Sequence, residues 1–278
     1  MIETWKYYKH AMIPTTAPHQ EVDTREISNK QFWRENQGAL LARWTTNWDC
    51  GHETNWWYVI KDTPFDIASL KSKRRYEINK GKKNFTVKRI DPMDYQDEIV
   101  EVTKTAYSSW PEKYRPMVDE NQFKQGLIAW KDHVVYGGFD NDEGRLCAYS
   151  YLTDYSDYLE FSVLRACPES EKKGINAAMV AAVVEDYNDR LGNNFYINDG
   201  ARSISHETNF QDYLEKYFGF RKAYCKLHVA YNPRIKWIVK MLFPFKKILH
   251  KFDEIGFIHQ VNSVLFMEEL YRSNTADR

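Results

Sequence analysis

The stretch Tyr158-Leu-Glu-Phe-Ser-Val-Leu164, followed by Glu171-Lys-Lys-Gly-Ile-Asn-Ala-Ala-Met179, decides the fold. Its first half is aromatic and β-branched and reads as a strand. Its second half reads as a helix, carrying Ile175, Met179, Val183 and Tyr187 at helical spacing. Between them lies a short polar loop in which Gly174 opens the helix. Backbone N–H groups at a helix start, with Lys172 and Lys173 beside them, make a seat for a pyrophosphate.

Working outward, strands are expected at Val134 to Phe139, Arg145 to Thr153 and Tyr158 to Leu164, linked by turn-rich loops as an antiparallel meander. Downstream, Phe195 to Asn198 reads as a short strand, His206 to Tyr217 as a helix and Arg221 to Tyr231 as a long strand stopped by Pro233. Upstream, Gly38 to Trp48 and Trp56 to Lys61 read as strands, and Phe65 to Lys80 as a helix ended by Gly81. Asn84 to Ile90 alternates like a strand, and Tyr95 to Tyr107 and Asp119 to Trp130 are helical. Two helices, Ile235 to His250 and Ile258 to Tyr271, close the chain. Strands followed by a strand–helix–strand unit make a mixed, largely antiparallel sheet flanked by helices, an α/β architecture. The chain divides into an N-terminal strand and basic-helix extension (1–83), a core (84–233) and C-terminal basic amphipathic helices (234–278).

The chain has 278 residues, with 39 Lys+Arg against 39 Asp+Glu. That balance hides two basic stretches. Ser69 to Arg89 holds nine basic residues and one acid, and Arg221 to Lys251 holds nine and none. Concentrated positive charge on a neutral chain suggests a local anionic partner; a solvated helix face accounts equally well for either stretch alone. The four cysteines are far apart with no C-x-x-C spacing, which excludes a disulfide framework and a zinc knuckle. The start lacks the pattern of a secretory signal, and no run approaches the ~18 apolar residues of a membrane span. The expectation is a cytoplasmic protein, with the basic, Trp- and Phe-bearing segment 234–251 able to touch the inner face of a membrane or to pack on the domain. The phosphate loop, dinucleotide turn and nucleophile elbow motifs are absent. His-Glu-Thr-Asn occurs at 52–55 and 206–209, without the second histidine that zinc binding at such a motif requires. No metal is expected.

Strand, basic glycine turn, helix, strand, a helix with Asn209, Tyr213 and Tyr217, then Gly219-Phe220 and a final strand resembles the GNAT acyltransferase superfamily over about residues 84–233. Leu70-Lys-Ser-Lys-Arg-Arg-Tyr-Glu-Ile-Asn-Lys-Gly81 is similar to the helix of its Fem-type and polysaccharide-associated branch. On that likeness, residues 1–83 are either a degenerate half of a Fem-like fold or a plain N-terminal extension. The resemblance implies an N-acyltransferase that moves an acyl group from acyl-CoA, acetyl-CoA foremost, to an amino or hydroxyl group of a small sugar or cell-envelope precursor. A donor of aminoacyl-tRNA is the alternative, and a non-catalytic module docking on an anionic membrane or polymer is a third reading.

The same resemblance implies site residues. Glu160 stands where the superfamily often places its base, and Tyr213 or Tyr217 could give the leaving group its proton. His206 is a candidate acid/base residue and serves equally well as a helix-start residue. Lys172, Lys173, Gly174, Ile175 and Asn176 would hold the cofactor's pyrophosphate and Asn209 its amide arm. The superfamily's loop, [QR]-x-x-G-x-[GA], here has Glu171 first and Asn176 last. From their charge alone, Arg74, Arg75 and Lys80 would bind the phosphate of a nucleotide- or lipid-linked acceptor or form a solvated face, Arg202 would bind an anionic acceptor, and Asp199 is a further substrate-binding candidate.

Overall fold

A computed structural model describes residues 4–110, 112, 115–204 and 209–276. In chain order the elements are β1 (Trp5–Tyr8), β2 (Ala11–Pro14), α1 (Lys30–Glu35), β3 (Leu41–Thr46), β4 (Trp56–Lys61), α2 (Ser72–Asn84), β5 (Phe85–Arg89), α3 (Gln96–Ser108), α4 (Glu120–Leu127), β6 (Val134–Asp140), β7 (Leu146–Asp154), β8 (Tyr158–Ala166), α5 (Pro168–Lys172), α6 (Ile175–Asp186), β9 (Tyr196–Ala201), α7 (Asn209–Phe218), β10 (Arg221–Tyr231), α8 (Pro233–Leu242), α9 (Lys246–Leu249) and α10 (Gly256–Ala276). The chain forms two compact units. One holds Met1–Tyr58, Ala201–Asn209 and Lys222–Arg278, and the other Val59–Gly200 and Phe210–Arg221.

In the first unit β1 pairs antiparallel with β2, β2 parallel with β3, and β3 antiparallel with β10. Trp5, Met12, Phe32, Trp33 and Ala42 bury one cluster, and Leu41, Trp56, Leu227, Val229, Met267 and Leu270 a second. The aromatic strands therefore serve the core at Trp5 and Trp56, as apolar area removed from water dictates.

The second unit contains the sheet β9-β8-β7-β6-β5. Its pairs are antiparallel from β5 to β8, and β8–β9 is parallel because α6 is the crossover between them. One sheet face carries Tyr149, whose hydroxyl hydrogen-bonds Thr103 of α3 at 2.8 Å within a cluster of Ile99, Val102, Leu127 and Leu146. Helix α6 is buried nearly all round, with Ile175, Met179, Val180 and Val183 fully enclosed. A crossover helix wedged between a sheet and another helix has no solvent stripe to keep polar.

Three expected boundaries moved for physical reasons. Gly81 does not stop α2, which runs on to Asn84. A Cβ at Gly81 would lie 2.3 Å from the carbonyl oxygen of Gly174, so glycine is there to let two backbones touch. The helix expected from Glu171 is instead two pieces, α5 and α6, separated at Gly174, whose φ of +94° no other residue adopts without strain. The C-terminal helix expected over 235–250 is broken at Phe243–Phe245, where Pro244 cannot donate its backbone hydrogen bond. β1, β2 and α1 were not anticipated.

Candidate active site

Strands β8 and β9 pair from Tyr158↔Tyr196 to Glu160↔Asn198, yet β8 runs on to Ala166 and β9 to Ala201. Past Glu160 and Asn198 the two parallel strands part. A bulge marks the same point: Tyr151 faces Val163 but Leu152 faces Phe161, so Ser162 is the extra residue. The parting leaves backbone groups of both strands without each other as partners, at the mouth of the crossover connection where ligands of parallel α/β sheets collect.

Side chains alternate across this opening. In-register pairing puts Glu160 and Asn198 on one face, and Leu159, Ile197 and Asp199 on the other. Glu160 is half-buried and opposite Thr153, whose hydroxyl hydrogen-bonds His133 Nδ1 at 2.9 Å. Its charge bears on two stacked phenols, Tyr155 and Tyr158, with centroids 4.6 Å apart. Burial pushes both hydroxyls above the ordinary tyrosine range, and the Glu160 carboxylate adds to the rise. Tyr158 stacks in turn on Tyr196 at 5.4 Å. Asn198 is buried and accepts the Gly200 N–H at 2.9 Å, which turns the end of β9.

On the opposite face, burial lifts the Asp199 carboxyl from 3.8 to about 7, a rise that a hydrogen bond from Gln211 of α7 opposes. The residue as a whole keeps some accessible surface. Helix α7 lays Phe210 against Phe161 of β8 at 6.2 Å and Tyr213 beside Phe210 at 6.1 Å. Tyr213 also lies 4.9 Å from Tyr217, and burial holds its hydroxyl protonated well above the usual range. Asp199, Gln211, Phe161 and Tyr213 thus share one side of the opening. Gln211 and His133 carry no motif in the sequence and became visible only through their partners.

The remaining expected site residues lie as follows. Gly174, Ile175 and Ala177 are buried, and among Gly174–Ala178 only Asn176 keeps accessible surface. Asn176 donates to Glu171 Oε1 at 3.2 Å, so the departure at the loop's first position is bonded to the departure at its last. Lys173 pairs with Asp140 at 3.4 Å, and Lys172 is exposed. Helix α2 lies over this turn. Lys80 Nζ donates to the Lys172 carbonyl at 2.7 Å and Asn84 to that of Lys173 at 3.0 Å. Arg75 is tied to the Ala68 carbonyl at 2.9 Å, and Arg74 is half-buried on the same helix. Asn209 is exposed at the start of α7. In the first unit, Arg202 donates to the Asn55 carbonyl at 2.8 Å and its guanidinium sits 4.5 Å from the Trp57 ring. His206 lies outside the described residues. Among the described residues no group of three or more His, Cys, Asp or Glu side chains could hold a metal ion, and no helix is long and apolar enough to cross a membrane.

No protein-family model and no curated protein matches the chain. Solved structures do. The structure of L-PGS from Bacillus licheniformis superposes with a TM-score of 0.51 at 13% identity, covering 86% of this chain and 83% of that one. The crystal structure of FemX superposes with a TM-score of 0.54 at 10% identity, covering 84% and 85%. At such identities the likeness speaks for the fold, a GNAT-like mixed α/β architecture with its largely antiparallel sheet flanked by helices.

Proposed function

We propose that the chain is an acyl-group transferase whose donor is an aminoacyl ester carried on tRNA and whose acceptor is an amine or hydroxyl. The transfer reading rests on one observation: two parallel strands part at a carboxyl poised near neutrality. An acceptor must lose a proton to attack an ester, and a base with a pKa near the working pH is best matched to that step. Asp199 meets that need. In this account Asp199 takes the acceptor's proton as the acceptor attacks the ester carbonyl, then returns it to the departing alkoxide. The Tyr213 hydroxyl, held protonated by burial, donates a hydrogen bond to the oxyanion that forms. Glu160, on the other face, supplies negative charge suited to the α-ammonium of an aminoacyl group.

The choice of donor follows from α2. A coenzyme A pyrophosphate needs the N–H groups of a helix start to be open. Here Gly174, Ile175 and Ala177 are buried and Gly81 packs against the turn. Meanwhile α2 and the cap residue before it expose Lys71, Lys73, Lys82 and Lys83, with Lys82 paired to Glu185, and α2 carries Arg74 half-buried. Side-chain cations on a helix surface suit a polyphosphate backbone better than a single pyrophosphate. The name FemX, borne by one of the superposed structures, accords with the Fem-type character of the α2 sequence. Retention of charged tRNA on a filter across a salt series tests the reading. Binding that falls steeply with salt supports it, and a saturable rise in melting temperature with acetyl-CoA in the absence of tRNA binding overturns it.

A further inference from the structure

The segment from α8 to the start of α10 exposes an unusual amount of apolar surface. Trp237 is 67% exposed, Met241 63% and Phe245 55%, and Ile238, Ile248 and Phe252 are similarly open. From Ile238 to Phe252 these residues recur at intervals of three and four, the spacing that keeps side chains on one side of a helical path. The opposite side of the segment is fastened down. Val239 is buried, Lys246 pairs with Glu269 of α10 at 2.6 Å, and Asn262 donates to the Leu249 carbonyl at 3.2 Å. Phe243 lies under the Arg272 guanidinium at 3.9 Å. The exposed side is therefore a fixed platform and not a loose end.

We propose that this platform docks the protein on an anionic lipid bilayer. Between Asn232 and Phe252 there are six basic residues and no acid; Arg234, Lys236, Lys240, Lys247 and Lys251 are exposed among the apolar side chains. Trp, Phe and Ile interleaved with lysine match the two halves of a membrane surface, acyl boundary and negative headgroup. A second copy of the chain would set like charges against each other. A nucleic acid would leave the Ile, Met and Phe side chains in water. The inference is independent of the transfer chemistry.

The test is flotation of the full chain with vesicles of equal phosphatidylcholine and phosphatidylglycerol, against phosphatidylcholine alone. The wild type is expected to float with the anionic vesicles only, and less at high salt. Replacing Lys236, Lys240, Lys247 and Lys251 by Ser should weaken binding by about six-hundredfold, at about fivefold per lysine. The variant Phe245→Ser/Ile248→Ser/Phe252→Ser should lose more than about tenfold while keeping a cooperative melting transition, since each of the three side chains is more than half exposed. Three results would overturn the proposal. One is no flotation of the wild type at low salt. Another is full binding by the apolar variant. The third is a concentration-dependent dimer abolished by that variant, with no vesicle binding.

Discussion

Replacing Asp199 by Asn removes one carboxyl from the parting of β8 and β9 while keeping its shape and the oxygen that accepts from Gln211. Burial lifts that carboxyl from 3.8 to about 7. The folded state therefore holds its proton over a pH range in which the unfolded chain has released it. The folded state binds more protons in this window, so stability falls as pH rises from about 4 to about 7, and the whole penalty is present at pH 8. Three units at about 1.4 kcal/mol each give a ceiling of about 4 kcal/mol. Because the residue as a whole keeps some accessible surface, the expectation is about half of that ceiling, about 2 kcal/mol. Asp199→Asn should accordingly match the wild type in urea denaturation at pH 4 and exceed it by about that amount at pH 8. The same variant should lose about a hundredfold or more in transfer rate, and the wild-type rate should rise through an apparent pKa near 7. Equal pH dependence of stability in wild type and variant would refute the placement of this carboxyl. An undiminished rate would remove it from the chemistry.

Three other substitutions read different parts of the account. Gly81→Ala adds a Cβ 2.3 Å from the Gly174 oxygen; it should destabilise by about 1–3 kcal/mol in urea despite alanine's better helix propensity. A neutral or stabilising result would mean that α2 does not press on the turn before α6. Glu160→Gln should leave the fold intact and reduce the preference for aminoacyl-tRNA over its N-acetylated form by about tenfold in filter binding. An unchanged preference would detach Glu160 from the ammonium. Lys71→Ser/Lys73→Ser/Lys83→Ser should lower the slope of log affinity against log salt by about two to three for tRNA. The wild-type slope in that variant would place the phosphate contacts elsewhere.

Much of this architecture is legible in the sequence because its strands are long or strongly apolar. Trp56–Lys61 and Arg221–Tyr231 fall where β-branched and aromatic content puts them. β1 and β2 are four residues each, too short for periodicity to register. Gly81 misleads because a glycine after a helical run usually signals a stop; its reason here is a backbone contact with Gly174, ninety-three residues away in sequence. The site was legible as a set of positions and not as an arrangement. Glu160 stands out as a carboxylate before the glycine turn and Asp199 as one among the candidate acceptor-binding residues, but only strand register shows that they occupy opposite faces of one opening. The raised pKa of Asp199 comes from burial in the folded chain, which no local pattern encodes.

The most direct measurement compares one protein preparation against aminoacylated tRNA, the same tRNA deacylated, and acetyl-CoA. Filter retention is used for the RNAs and melting temperature for all three ligands. The account predicts tighter retention of the charged tRNA than of the deacylated one and no melting shift with acetyl-CoA. A ligand at a hundredfold excess over its Kd would add about 2.7 kcal/mol of stability. Such a stabilisation by acetyl-CoA, with no discrimination between the two RNAs, would contradict it.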